Sequence, residues 1–362
     1  MTGLLRLILF TLNNCTIDPD VMLSPRQADF CCIDPAEQAK LIVVIDTEEE
    51  FNWSLDFSRK NTSVKSMRSI EKIQGVFDEY QIRPVYVVDY PVAFQSDGYR
   101  PLQEVYASGR CLIGAHLHPW VNPPLEEQVT RQNSFAGNLP RSLEAAKLRI
   151  LGDLIGERFG TRPVIYKAGR YGIGCNTADI LEEQGYEVDL SVCPCMDYSS
   201  EGGPNFKNCP ALPYWFGKNH RLLEIPFTVG FVGWLRSWGN LYGLASNFPF
   251  NRLHLGGVLA RTGLLNRVWF SPEGYTLAEN IALLRTLYRD GVRIFSFALH
   301  SPSVEPGNTP YVRSENDLER FLSQCRGFFD YFMGHIKGLP TTPLEVRTRL
   351  NKGVTSHRQE NK

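Results

Sequence analysis

Two hydrophobic patterns alternate along most of the chain. Residues 41–45 are apolar at every position and end at an aspartate, as in a strand of a parallel sheet that is covered on both faces. Residues 70–80 then place apolar side chains three and four apart, which predicts an amphipathic helix. Because strands and helices keep alternating over about 300 residues, the pattern predicts an α/β fold, either a (β/α) barrel or a doubly wound sheet.

The remaining predicted elements follow the same two patterns. The strands are expected at 84–89, 111–115, 163–168, 187–192, 222–227 and 292–299, and the helices at 101–108, 141–159, 277–289 and 315–337. Ser314 and Asp317 have the spacing of a capping box at the start of the last helix. We therefore divide the chain into an irregular N-terminal arm (1–38), a barrel domain (39–342) and a polar, disordered tail (343–362).

Composition narrows the classes of partner. The formal net charge is -1, so the chain lacks the basic footprint of a nucleic-acid-binding protein, and a small molecule or glycan is the expected partner. No segment reaches the ~20 apolar residues that span a bilayer. The nine cysteines are an odd number, and the N-terminus is a poor secretion signal, which together favour the cytoplasm. The sequence does not indicate the oligomeric state.

Ionisable residues follow several of the predicted strands directly. Asp46 and Glu48 follow the first, His116 and His118 the third, and His300 the one at 292–299. In parallel α/β folds the carboxyl ends of the strands meet at the active site, so these side chains should be neighbours in space. This placement is the main argument for a site.

The spacing of these residues suits a metal centre. Asp46 and Glu48 are two apart, as are His116 and His118, so each pair shares one face of a strand, and the imidazoles can reach one ion. The alternatives are structural: residues 48–50 would be a solvated acidic run, and His300 would bond to a backbone carbonyl at the edge of the core.

Five motifs, each after a predicted strand, resemble the polysaccharide deacetylase (NodB-like) superfamily, and above all its divergent WalW-type branch. They lie at residues 45–48, 113–119, 166–171, 188–191 and 298–300, and the match covers roughly residues 40–340. The resemblance implies a distorted (β/α) barrel that holds zinc or a similar divalent ion through one carboxylate and two histidines.

The resemblance also implies roles for the first two motifs. Asp46 matches the general base, and Glu48 takes the place of the metal-binding aspartate. His116 and His118 match the two histidine ligands, although the family normally spaces them four apart and this chain has them two apart.

The last three motifs supply the positioning and acid groups. Lys167 aligns with the arginine that positions the base, and Arg170 follows three residues on, so either cation could hold Asp46. Asp189 matches the fourth motif and His300 the fifth. The implied mechanism has His300, poised by Asp189, protonating the departing amine.

The implied reaction is metal-dependent removal of an acyl (acetyl) group from an N-acetylated sugar. Tyr171, Trp120 and Trp53 are the candidate faces for sugar rings, although large aromatic residues are commonly buried. Residues 235–275 are a candidate lid or substrate loop. The alternatives are a hydrolase of another C–N amide, such as a ring amide, on the same barrel, and a catalytically silent glycan-binding protein.

Overall fold

The computed structural model describes residues 25–26, 29–239, 259 and 262–360, the last segment as backbone only from 352. Most of the predicted arm (1–38) and the middle of the 235–275 segment lie outside the described residues. The end of the arm that is described joins the barrel, because Phe30 forms an antiparallel bridge with Tyr214.

A curled, mostly parallel sheet forms the centre of the molecule, which confirms the predicted distorted (β/α) barrel. Its order is β10-β1-β2-β3-β4-β5-β7-β6, with β11 added beside β1 and β6 antiparallel to β7. The strands are β1 Lys40–Thr47, β2 Val85–Val88, β3 Leu112–Leu117, β4 Ile165–Ala168, β5 Val188–Asp189, β6 Tyr214–Phe216, β7 Leu222–Glu224, β8 Val229–Val232, β9 Asn266–Trp269, β10 Ile294–His300 and β11 Leu339–Pro340.

Helices pack against the sheet with their apolar faces inward. They are α1 Ile70–Glu79, α2 Tyr90–Phe94, α3 Ser96–Ala107, α4 Arg141–Phe159, α5 Thr177–Glu183, α6 Leu277–Arg289 and α7 Glu315–Gly334. The predicted capping box is present at the start of α7, where the Ser314 hydroxyl accepts from the Asp317 amide and the Asp317 carboxylate accepts from the Ser314 amide. Phe328 of α7 stacks on Phe297 of β10, with ring centroids 4.9 Å apart, so the aromatic stripe of the helix covers the sheet.

The segment that follows β7 forms an antiparallel hairpin, β8–β9, which the sequence patterns did not predict. Its base lies beside β10, because the Phe270 carbonyl accepts from the Ala298 amide (2.9 Å) and the Thr228 hydroxyl accepts from the Ser296 amide (2.8 Å). These single hydrogen bonds take the place of a continuous ladder along that edge of the barrel.

The chain after Pro343 is a helix, α8 Pro343–Glu360, so the prediction of a disordered tail is wrong for this segment. Val346 is buried, and Leu344 and Leu350 pack against the core. Arg347 donates to the Glu187 carbonyl and pairs with the carboxylate of the same residue. Among the side chains of α8 that the structure describes, the apolar ones are too few for a clear period in the sequence, and their burial holds the helix in place.

Candidate active site

The carboxyl ends of four strands bring the predicted residues together. Parallel pairing sets Asp46 of β1 beside His300 of β10, and His116 of β3 beside Lys167 of β4. The side chains of Asp46, Glu48, His116, His118 and Lys167 are all buried. The side chains that face one another therefore come from distant parts of the sequence.

Glu48, His116 and His118 form a compact group that could hold a metal ion. Glu48 Oε2 lies 3.6 Å from His116 Nε2 and 3.4 Å from His118 Nε2, and the ligand atoms all lie within 4.8 Å of one another. Two ligands that each sit about 2.1 Å from a tetrahedral ion are about 3.4 Å apart, so the spacing fits such an ion.

The other nitrogen of each imidazole already has a partner. His116 Nδ1 lies 2.9 Å from the Lys167 carbonyl oxygen, and His118 Nδ1 lies 2.8 Å from Glu49 Oε2. Such partners fix the tautomer of metal-binding histidines and turn the free nitrogen toward the ion. Within the part of the chain that the structure describes, the two groups able to hold an ion share His118 and contain no cysteine.

Glu49 belongs to a buried acidic layer behind the histidines. Its backbone amide donates to Asp89 Oδ2 (2.7 Å), and burial raises the pKa of both carboxyls, that of Glu49 to about 8. Trp120 donates from Nε1 to Glu49 Oε1 (2.8 Å) and stacks on His118, with ring centroids 4.3 Å apart. Only 1% of Trp120 is exposed, so it supports the ligand and the prediction that it binds sugar is wrong.

Lys167 is the cation that holds Asp46. Its ammonium donates to both carboxylate oxygens, at 2.7 and 2.6 Å. Burial alone would raise the pKa of Asp46, but the positive charges of Lys167, His116 and His300 outweigh it and lower that pKa to about 2. Asp46 is therefore a carboxylate at neutral pH.

Arg170 does not contact Asp46, so the prediction that Arg170 could hold this carboxylate is wrong. Its guanidinium donates to the Ser134 hydroxyl (2.5 Å), pairs with Glu201 and lies 4.1 Å from the centre of the Phe135 ring. Arg170 and Tyr171 have consecutive positive φ angles of 56°. Two non-glycine residues in the left-handed region make this loop strained, as backbone at functional sites often is.

His300 is paired with Glu273, a residue that the sequence patterns missed. His300 Nδ1 lies 2.7 Å from Glu273 Oε2, and its Nε2 lies 3.7 Å from Asp46 Oδ2. Burial lowers the pKa of His300, but the charges of Glu273 and Glu48 outweigh this and raise it to about 10. Glu273 follows β9, so recognising that strand would have placed Glu273 at a strand end.

Asp189 lies apart from His300, so its predicted role in poising that histidine is wrong. Its Oδ1 accepts from the Ser191 hydroxyl (2.5 Å), and it sits across from Glu224 in the β5–β7 register. Burial raises the pKa of Asp189 to about 6, and it also raises the pKa of Glu224 well above its ordinary value. The Ser191 oxygen also accepts from the Ala168 amide (2.7 Å), so this acidic pair links β5 to β4.

Aromatic rings surround the Lys167–Asp46 and Glu273–His300 pairs. The Trp53 ring lies 4.8 Å from the His300 ring and 5.8 Å from that of Tyr311, measured between centroids. The Lys167 ammonium lies 5.1 Å from the centre of the Tyr171 ring. Trp53 and Tyr171 are half-buried, and their part in binding substrate stays a prediction.

Comparisons with solved structures identify the type of fold. No family model matches the sequence, and no curated protein matches it. A structure described as a glycoside hydrolase/deacetylase from Parabacteroides distasonis has 11% identity and a TM-score of 0.52, over 84% of this chain and 70% of that one. A polysaccharide deacetylase structure from Mycobacterium smegmatis has 14% identity and a TM-score of 0.49, over 88% and 92% of the two chains.

An allantoinase structure is similar at 15% identity and a TM-score of 0.48, over 88% of this chain and 93% of that one. Among the described helices, none combines the length and the apolar character needed to cross a membrane. At such low identities the likeness is one of fold alone, and the chain has a (β/α) barrel of the glycoside hydrolase/deacetylase type.

Proposed function

We propose that this protein is a metal-dependent hydrolase that removes an acetyl group from the amide nitrogen of an N-acetylated sugar. The observation that carries the proposal is the Glu48–His116–His118 group, which faces a Lys167-bound carboxylate and a Glu273-bound imidazolium. The motif resemblance to polysaccharide deacetylases, including the WalW-type branch, supports the substrate class. Zinc suits a set of two nitrogens and one carboxylate oxygen.

Glu48, His116 and His118 would hold the ion with three ligands, and such a set would leave room for water or substrate, as in catalytic rather than structural metal sites. A divalent ion held there would polarise the amide carbonyl and lower the pKa of a water molecule. Glu49 and the Lys167 carbonyl keep both imidazole rings turned toward Glu48, so the ligand group is organised in advance.

Asp46 is the proposed general base. It is ionised at neutral pH, and its Oδ2 faces His300 Nε2 across 3.7 Å. A pKa of about 2 makes Asp46 a weak base, which is sufficient only for a water that is already acidified. Lys167 holds the carboxylate by both oxygens and so fixes its orientation.

His300 is the proposed general acid. A pKa of about 10 keeps it protonated at neutral pH, and Glu273 engages Nδ1, so the Nε2 proton is the one that faces Asp46. An amine is a poor leaving group until it is protonated, and this proton has the position to reach the departing nitrogen. Base and acid are both intact, which favours an enzyme over a silent glycan-binding protein.

The compartment we propose is the cytoplasm. Cys193 and Cys195 lie close in sequence, and both are free thiols. Free thiols persist in reducing compartments, whereas secreted proteins commonly pair them.

Acetate release by metal-depleted and reconstituted protein tests the proposed activity. We expect no release after depletion and recovery on adding zinc, with N-acetylated oligosaccharides as substrates and small cyclic amides as the comparison. If only the cyclic amides are hydrolysed, the substrate is another C–N amide and not an N-acetylated sugar. Sugar binding without acetate release from any substrate would contradict the proposal.

A further inference from the structure

A loop after β1 covers the candidate metal ligands. Its two ends meet, because the Glu50 amide donates to the Ser63 carbonyl (2.8 Å) and the Ser63 hydroxyl donates to the Glu50 carboxylate (2.5 Å). We call residues 51–62 the covering loop. Compact loops of about 6–16 residues whose ends adjoin are Ω-loops, and they frequently carry a function.

Aromatic contacts hold the covering loop against the histidine ligands. The Phe51 ring lies 6.1 Å from the His118 ring, edge to face, and the Phe57 ring lies 4.5 Å from that of Trp120, measured between centroids. The Arg170 guanidinium lies 4.9 Å from the centre of the Phe57 ring, where a cation is attracted to an aromatic face. Phe57 therefore joins the covering loop to the segments that follow β3 and β4.

His300 is the most exposed of the proposed ligand and catalytic side chains. The side chains of Glu48, His116 and His118 are only 2–4% exposed. That of Asp46 is 6% exposed, whereas that of His300 is 29% exposed. A substrate therefore approaches from the side of His300, with its acetyl group pointing toward the buried ligands.

The exposed part of His300 lies beside two aromatic rings. The Trp53 ring, in the covering loop, lies 4.8 Å from that of His300 and 5.8 Å from that of Tyr311, which is 41% exposed. His300 is the proposed proton donor to the departing nitrogen, so the sugar that carries this nitrogen lies here. A polymer that reacts at an internal unit extends from that sugar in two directions. The covering loop, which reaches from His300 to His118, occupies one of them.

We propose that the covering loop limits the reaction to a terminal N-acetylated sugar unit and excludes the internal units of a polysaccharide. The inference rests on the proposed deacetylase function and adds the class of substrate. Selectivity of this kind comes from a steric block against the wrong substrate as much as from contacts with the right one. Phe57 is the proposed specificity-determining side chain, because its contacts with Trp120 and Arg170 anchor the loop.

The position of deacetylation in a short oligosaccharide tests this inference. A pentamer of N-acetylglucosamine with an isotopically labelled reducing end is incubated with the zinc-loaded full-length protein, and tandem mass spectrometry identifies the unit that loses its acetyl group. We expect loss from a terminal unit, with internal units at least about tenfold slower, and a kcat/KM for the dimer within about threefold of that for the pentamer. Internal units that react as fast as terminal ones would overturn the proposal, whatever the behaviour of any variant.

Phe57→Ala tests the covering loop itself. Loss of the ring releases the loop from Trp120 and Arg170, so the reaction at internal units should rise at least about fivefold relative to terminal units. Leu55→Ala is the matched control, because Leu55 is an apolar residue of the same loop that is 66% exposed, and this variant should keep the native pattern. Circular dichroism and zinc content check that both variants are folded. A native pattern in folded F57A would overturn the role of the loop.

Failure of the proposed function would give a different result. The zinc-loaded protein would then release no acetate from either the dimer or the pentamer, and the inference about terminal units would fall with the deacetylase function. Acetate release from all units alike would instead keep the deacetylase function and overturn this inference alone.

Discussion

Neighbouring charge, rather than burial, separates the roles of the two buried acids Asp46 and Glu49 at the carboxyl end of β1. Asp46 and Glu49 are both buried, yet the pKa of Asp46 falls to about 2 while that of Glu49 rises to about 8. Asp46 has the Lys167 ammonium on both oxygens, which offsets its burial, whereas burial and the charge of Glu48 together raise the pKa of Glu49. Asp46 is thus available as a base, and Glu49 serves as a hydrogen-bonding support for His118.

Replacing Asp46 by asparagine tests the base directly. Asp46→Asn keeps the shape of the side chain but removes the proton acceptor, so we expect a loss of at least ~100-fold in kcat with metal content retained. Metal analysis and circular dichroism on the same preparation are the controls. An unchanged kcat would remove Asp46 from the mechanism.

The pairing of His300 with Glu273 predicts the alkaline limb of the pH profile. The acid must be protonated, so activity should fall as the pH rises through the pKa of His300, about 10. In Glu273→Gln the attracting charge is lost, the pKa of His300 falls, and the limb should move to lower pH.

Asp189→Asn is the matched control for that experiment. Asp189 is a buried acid that the motif order places with His300, but its contacts are with Ser191 and Glu224. We therefore expect the alkaline limb of the pH profile of kcat/KM to lie at the same pH in D189N as in the native protein. A limb that moves in D189N and not in E273Q would restore the original assignment.

At the scale of elements, continuous apolar runs and long periodic helices were predictable, and short or sparsely apolar elements were not. The patterns placed β1 and α4 close to their observed bounds, because burial on both faces and a long stripe leave strong signals. The β8–β9 hairpin and α8 were missed, since few of the residues whose side chains are described in them reach the core. Missing β9 also concealed Glu273.

The loop after β3 depends on one buried lysine of α4. Lys147 Nζ donates to the carbonyls of Pro119 (2.9 Å), Asn122 (2.6 Å) and Pro124 (2.7 Å), and it lies 3.0 Å from Glu127 Oε2. The ammonium of Lys147 thereby holds the residues that follow His118 against α4.

Lys147→Met should therefore destabilise the fold strongly. It leaves three carbonyls and a carboxylate without their cation, and breaking such a buried pair costs about 3–5 kcal/mol. Urea unfolding measures this, with Lys60→Met, an exposed lysine, expected to change little. A loss below about 1 kcal/mol would show that the loop does not need the ammonium.

At the scale of the whole molecule, the parallel sheet explains which site residues could be found from sequence. Strand-end placement located five residues, because the end of a buried strand can be recognised from the apolar run that precedes it. These residues are Asp46, Glu48, His116, His118 and His300. Strand-end placement could not choose between Lys167 and Arg170. Lys167 in β4 contacts Asp46, whereas Arg170, in the strained loop after β4, contacts Ser134. Side-chain direction in irregular backbone depends on tertiary contacts, which local patterns do not contain.

Because the ligands come from two strands, ion binding should stabilise the whole fold. An ion that binds only the folded chain adds about 2.7 kcal/mol at a concentration one hundred times its Kd, so zinc should raise the Tm of metal-depleted protein. In His116→Ala one ligand is lost, and we expect both the zinc content and this rise in Tm to fall sharply. His335→Ala removes an exposed imidazole that stacks on Tyr331, and it should respond to zinc as the native protein does. Stoichiometric zinc in H116A, or a zinc-dependent rise in Tm that is equal in H116A and H335A, would show that the ion binds elsewhere. Asp46 and His300 would then not act beside a metal ion, and the mechanism proposed for them would fail.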